Sequence, residues 1–387
     1  MKITTRVIQV VVGLLFVVSG LVKANDPLGL AYKMQEFFEL WMDGLKNGHF
    51  FAKIPLISLL DFLNHLTLYL AVTMITLEIV AGVALLVGWM KKFILYLLLV
   101  LIIFFAFLTG YAYLSGKFTN CGCFGDCLPI TPLTSFTKDL ILLAMILLLI
   151  AGQKYMQPVL SRRAGTGLVT ISLLLTLFLQ WYVLKYLPLV DCLPMKKGNN
   201  LAEQIKPPKN AIPSLYESRL VYKNTKTAAT KEMSQTEFNE SKIWEDTSWK
   251  WQETKTKLIR QGTDIPKLQN FSLKTLDGAD STEPILNYPA YSILYFVNPV
   301  GTKNRFDKNF WNQKAKELPV RVITSSPSDF AGDTTGNYQV FIADGTVFRI
   351  AARVNPTIYL LKQGKIINKW PLAKLTEAEK TINELKK

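Results

Sequence analysis

Histidine is almost missing from this 387-residue chain, which has only His49 and His65. Their separation forms no recognisable metal motif, and both read as membrane-interface residues. Cysteine is also scarce and confined. Cys121, Cys123 and Cys127 share one eight-residue stretch, Cys192 stands alone, and none follows it. The C-terminal half therefore has no thiolate nucleophile of its own. Acids are missing from three short basic segments: the N-terminus (Lys2, Arg6), Lys91-Lys92, and the stretch holding Lys154, Arg162 and Arg163. No basic helix is interleaved with aromatics, so the net charge of +15 does not point to nucleic acid.

What the chain has in quantity is apolar residues, 50% of the total, with a mean hydropathy of +0.21. They crowd into the first half, and a composition shift near Asp191 marks a boundary. A bilayer span needs about 20 mostly apolar residues. Val7–Val22, Leu66–Trp89, Phe93–Leu114, Phe136–Ala151 and Leu168–Leu187 meet or approach that length. In lipid such segments must be helices, because backbone polar groups have no water to bond. The first run carries Lys2 and Arg6 as a signal peptide would, but Val22-Lys23-Ala24 is a poor cleavage site and Gly13, Ser19 and Gly20 suit helix packing. A retained helix is the expectation. The acid-free basic segments belong on the cytoplasmic side. Five spans then place everything after Leu187 outside: a multi-pass protein of the bacterial inner membrane, its C-terminal domain in the periplasm. Lys23, Asp26, Glu36, Glu39 and Asp43 are assigned to the first outer loop, whose aromatics (Phe37, Phe38, Trp41, Phe50, Phe51) suggest an amphipathic segment at the lipid interface. Glu78 falls in the middle of the second span, where a carboxylate is costly. It reads either as an intramembrane relay or as a structural hydrogen-bond partner of Thr73, Thr76 or a neighbouring helix.

This topology gathers all four cysteines at the outer surface. Three readings stay open: two structural disulfides of unspecified connectivity, a redox-active pair fed by thiol exchange, or a zinc site.

Ser19-Gly20-Leu21-Val22-Lys23-Ala24-Asn25-Asp26-Pro27, Leu77-Glu78-Ile79-Val80-Ala81-Gly82 and Cys121-Gly122-Cys123-Phe124-Gly125 together resemble the DoxX-like and MauE-like membrane proteins, over roughly Met1 to Gly152. The fifth span and long C-terminal extension resemble DoxX-family proteins of Bacteroidetes-type bacteria. The resemblance implies disulfide or cofactor maturation of periplasmic proteins, a likeness to quinone-linked thiol oxidoreductases, and Cys121 and Cys123 as the redox residues. A membrane quinone is the cofactor it suggests.

Residues 191–265 read as an extracytoplasmic connector, with breakers at Lys206-Pro207-Pro208-Lys209 and strands at Tyr216–Tyr222 and Ile243–Trp251. From residue 266 the pattern is α/β. It runs as a hairpin through Asn270–Leu273 and Asp277-Gly278, a strand at Tyr291–Val297, a helix at Lys303–Glu317 and a strand at Val320–Thr324. A strand at Tyr338–Ile342 then ends in a turn at Asp344-Gly345, followed by a Pro356-led hairpin and a helix at Leu375–Leu385. The order resembles a thioredoxin-like domain in which Pro356 matches the cis-proline and Asn298-Pro299-Val300-Gly301 stands where Cys-x-x-Cys would be. The expected fold is a polytopic α-helical membrane bundle (residues 1–190) plus an α/β thioredoxin-like domain (266–387). The expected function is thiol-redox maturation of a periplasmic client held by the cysteine-free domain. The alternative is a non-enzymatic scaffold subunit of an envelope complex. Expected partners are the lipid bilayer and a periplasmic or envelope protein.

Overall fold

A computed structural model describes residues 2–47, 53–118, 125, 127, 128, 130–208, 210–260, 262, 266–297, 307–330 and 336–385. The chain divides into two compact units. One joins residues 1–198 to 272–387, and the other is 199–271.

Among the described residues, seven α-helices open the first unit: α1 (Lys2–Ala24), α2 (Pro27–Asn47), α3 (Lys53–His65), α4 (Thr67–Val87), α5 (Lys91–Ser115), α6 (Pro132–Ala151) and α7 (Arg162–Tyr186). Five of them (α1, α4, α5, α6 and α7) are long and apolar enough to cross a membrane. They coincide with the five runs read from the sequence. Helices α1, α5, α6 and α7 are longer than their hydrophobic runs, whereas α4 is shorter, because caps and not hydrophobicity set where a helix ends. Thr131 and Ser161 cap α6 and α7 through their hydroxyls, and Gly88 ends α4 in the left-handed region. The segment expected at the interface is two helices, α2 and α3, packed through Met34, Phe38 and Leu60. Phe50 and Phe51 lie outside the described residues, as does His49.

The bundle core is built on Val12, Phe16, Leu85, Leu98, Ile146 and Leu149. Helices α1 and α4 touch most closely. A Cβ on Gly20 would stand 2.4 Å from Ile79 Cγ1, and one on Gly82 would stand 2.9 Å from Gly13 O. Small residues permit the backbone approach that holds helices together in lipid. At one end of the bundle, Lys91 Nζ donates to the carbonyls of Gln153 (2.9 Å) and Met156 (2.7 Å), and Gln9 Nε2 donates to Leu85 O (2.6 Å). The basic N-terminus and both basic loops thus share that end.

The second unit holds α8 (Leu201–Gln204), β1 (Leu215–Asn224), β2 (Thr230–Ser234), α9 (Gln235–Ser241) and β3 (Trp249–Arg260), with an antiparallel sheet ordered β2-β1-β3. The expected strand at Ile243–Trp251 is corrected. Ile243–Glu245 is a single 3-10 turn, entered through Lys242 at φ 46°, and the strand starts only at Trp249.

The first unit then resumes with α10 (Thr282–Leu286), β4 (Tyr291–Phe296), α11 (Lys308–Ala315), β5 (Val320–Thr324), β6 (Gln339–Ile342), α12 (Gly345–Ala351), β7 (Thr357–Lys362), β8 (Lys365–Pro371) and α13 (Leu375–Glu384). The sheet order is β6-β5-β4-β7-β8, with β4, β5 and β6 parallel and β7 and β8 antiparallel. The Asn355–Pro356 peptide is cis. Two expectations fail here. Residues 270–278 form no strand pair, only a turn with isolated bridges at Lys274. The turn after Ile342 is a helix, α12, because Asp344 accepts from Thr346 N and caps it. Asn298 to Gly301 lie outside the described residues.

Candidate functional site

Glu78 has a partner that the sequence reading placed elsewhere. Lys23 is not in a loop. It occupies the last turn of α1, is 3% exposed, and its Nζ stands 2.6 and 2.8 Å from the two Glu78 oxygens. Ser19, one turn earlier on the same face of α1, lies 3.1 Å from both Lys23 Nζ and Glu78 Oε1. The three ammonium donors are therefore all used. Phe105 covers the ammonium, its ring centroid 4.6 Å away. Thr76 takes no part with Glu78: it accepts from Gln180 Nε2 (2.9 Å) and donates to Val72 O (2.7 Å).

A second charged pair faces the same cleft. Asp139, 1% exposed on α6, meets Lys138 Nζ at 2.7 Å and Thr109 Oγ1 at 3.0 Å. Phe16, Ile102, Phe105 and Leu142 supply the apolar walls, and the exposed Leu15 forms the lip. Two cations balance two carboxylates, so the cleft has no net charge. Its cavity volume is about 20 Å³, room for a single water.

Of the four cysteines, Cys127 and Cys192 are bonded to each other across 65 residues, with Cα atoms 4.9 Å apart. Cys121 and Cys123 lie outside the described residues. A Cβ on Gly125, in the left-handed region, would stand 3.8 Å from Val22 O, so Gly125 lies against the last turn of α1. Next to it, Asn25 exchanges two hydrogen bonds with the backbone of Val190 (2.8 and 3.0 Å).

The α/β domain reaches the same place. Arg353 Nε donates to Asp26 Oδ2 at 2.7 Å, and Lys369 Nζ meets Asp191 Oδ2 at 2.5 Å. Both cations are nearly buried. Arg349 reaches Glu39 at 3.6 Å in a more exposed pair. Burial pushes the Lys369 ammonium below its ordinary pKa, and the Asp191 carboxylate opposes that shift. Burial also holds the Tyr359 phenol well above its ordinary range, reinforced by Asp191 and opposed by Arg353. The Tyr359 hydroxyl donates to Ala351 O at 2.5 Å. Tyr32 is raised for the same first reason, with Arg353 opposing.

Sequence reasoning named Glu78, Cys127 and Cys192 as candidates and did not name Lys23, Asp139, Arg353 or Lys369. Asp139 was within reach of the argument applied to Glu78, since it too is a carboxylate in an apolar span. Lys23 carried a signal in its four-residue spacing from Ser19. Arg353 and Lys369 carry no local signal, because their partners are more than a hundred residues away in sequence.

No curated protein matches the chain. Residues 1–152 match the family described as methylamine utilisation protein MauE. The matched stretch ends at the close of α6, and includes Lys23, Glu78, Cys127 and Asp139 but not Cys192. Over those residues the chain is similar to MauE, and its five long apolar helices make it a multi-pass membrane protein.

Proposed function

We propose that the chain is a membrane-bound maturation factor that exchanges disulfides with an extracytoplasmic client through Cys121 and Cys123. The observation that carries this reading is the bond between Cys127 and Cys192. With those two paired, the cysteines left over are Cys121 and Cys123, separated by one glycine. In the exchange, a client thiolate attacks the Cys121–Cys123 bond and forms a mixed disulfide, releasing one cysteine as thiolate. A second client thiolate then displaces the other. The client gains one disulfide, this chain gains two thiols, and the client's two protons are conserved overall. The acid-free basic segments at the opposite end support an inner-membrane protein whose cysteine end faces the periplasm.

The α/β domain supports a thioredoxin-like reading. Three parallel strands are flanked by two antiparallel ones, and cis-Pro356 leads into β7. Having no cysteine, it positions a client instead of reacting with it. A membrane quinone is the electron acceptor the resemblance suggests. In the polar cleft at Glu78 the Lys23 donors are already taken, and a cavity of about 20 Å³ does not admit a quinone ring.

The scaffold alternative draws on the same disulfide, which staples the cysteine loop to the segment after α7. Expressing Cys123→Ser in cells and resolving mixed disulfides without reductant separates the two. Trapped clients that disappear in Cys121→Ser/Cys123→Ser are the expected result. A protein present at normal level that traps nothing refutes the exchange and leaves the scaffold.

A further inference from the structure

The ends of β4, β5 and β6 at Phe296, Thr324 and Ile342, the start of β7 at Thr357 and the end of β8 at Pro371 lie on one edge of the sheet. Ligands of open α/β sheets are generally taken at the carboxyl ends of the parallel strands. In this chain Arg353, just before β7, reaches from that edge to Asp26, in the hinge between α1 and α2. Lys369, near the end of β8, reaches to Asp191, the residue before Cys192.

We propose that the α/β domain is a redox-governed cap: the Cys127–Cys192 disulfide holds it by its strand-carboxyl edge against the cysteine end of the helix bundle, and reduction of that disulfide releases it. This goes beyond exchange at Cys121 and Cys123 and does not require it.

Docking and the disulfide are linked. Residues 190–198 are the bridge. Val190 is tied to Asn25, Cys192 to Cys127, Asp191 to Lys369, and Gly198 N donates to Ile366 O at 2.8 Å. Met195 is fully buried, and its carbonyl lies 3.5 Å from Lys369 Nζ. The disulfide fixes Asp191 from one side. If Asp191 moves, Lys369 becomes a buried cation without a carboxylate, a costly state that undocking relieves. Because linkage is reciprocal, a docked domain must also resist reduction of the disulfide. In the cell the reductant is a dithiol of another protein: one thiolate attacks the bond, its partner resolves the mixed disulfide, and the donor leaves oxidised while Cys127 and Cys192 become thiols.

The test uses full-length protein in nanodiscs carrying Cys121→Ser/Cys123→Ser, so that failure of client exchange cannot influence it. A water-soluble phosphine supplies two electrons and becomes its oxide with water oxygen, leaving two thiols, and mass spectrometry counts them. Amide exchange over residues 186–198 and 349–371 is expected to rise about tenfold once the bond is open, while the bundle core at residues 79–86 stays protected. Equal protection with the thiols counted as free overturns the proposal. In the reciprocal arm, Arg353→Leu/Lys369→Met is expected to speed reduction about tenfold, and an unchanged rate also overturns it. Should that variant fail to fold, the reductant arm decides alone.

Discussion

The Lys23–Glu78 pair yields the sharpest stability test. Replacing Glu78 with leucine leaves an ammonium that is 3% exposed with Ser19 and the Phe105 ring beside it. Removing one member of a buried ion pair costs about 3 to 5 kcal/mol. Here the lower end applies, because Lys23 lies one residue from the end of α1 and its long stem can carry the freed charge towards the interface. About 3 kcal/mol is roughly a hundredfold in the unfolding equilibrium. Replacing both members by apolar residues of similar size should restore stability to within about 1 kcal/mol, since neither charge then has to be desolvated. The assay is a double-mutant cycle of wild type, Glu78→Leu, Lys23→Met and the pair, each unfolded by SDS in mixed micelles and followed by tryptophan fluorescence. A coupling energy of about 2 kcal/mol or more is expected. If Glu78→Leu costs the same with and without Lys23, the two do not act as a pair and the reasoning fails.

The same micelle assay applies to Gly20→Leu, expected to cost about 1 to 3 kcal/mol through collision with Ile79. Gly44→Ala, where a Cβ meets nothing within 4 Å, is the control without collision and should stabilise α2 by up to about 1 kcal/mol. Asp344→Ala should cost about 1 kcal/mol by uncapping α12, read as faster amide exchange over residues 345–351. The Asp344 carboxyl is held below its ordinary pKa by the Thr346 amide, so its contribution is complete above the unfolded value of 3.8 and is lost as pH falls through the lower folded value. In acid, α12 should fray in the native chain but show no such titration in Asp344→Asn. Arg353→Leu should markedly accelerate exchange over residues 349–371, whereas Arg349→Leu, which breaks a half-exposed pair with Glu39, should change it less than twofold.

The membrane part was legible because lipid imposes a rule that a single sequence can satisfy or break. Twenty apolar residues must be helical, and five runs of that kind became five helices. Lys23 was misread for a related reason. A lysine at the end of an apolar run looks like a loop residue when the run is read alone, and only α4 brings Glu78 beside it. In the α/β region, β5 and β7 were clear because their burial is continuous and their flanks are strong breakers. Helix α12 was not, since Asp344-Gly345 serves equally as a turn and as a cap. The pairing of Cys127 with Cys192 was beyond the sequence, because four cysteines allow three connectivities and only the fold selects one.

The hinge after α1 explains how so many distant elements meet, and it predicts an experiment that alters no side chain. Within four consecutive residues, Lys23 binds α4, Asn25 binds the segment after α7 and Asp26 binds the α/β domain, and Pro27 then opens α2 at a position where its missing N–H costs nothing. These attachments depend on register. Inserting one alanine between Ala24 and Asn25 leaves Lys23 in place and moves the following residues by up to about 3.8 Å. The hydrogen bonds of 2.7 to 3.0 Å that Asn25 and Asp26 accept do not survive a shift of that size. The inserted chain should keep the amide protection of α1 and α4 and its Lys23–Glu78 coupling energy. It should lose protection at Val190, at Gly198 and across residues 349–371, and an insertion after Gly44 should lose none of these. If protection persists at residues 349–371 in the hinge insertion, the domain is held by something other than Asp26 and its neighbours, and the hinge is not where the parts are joined.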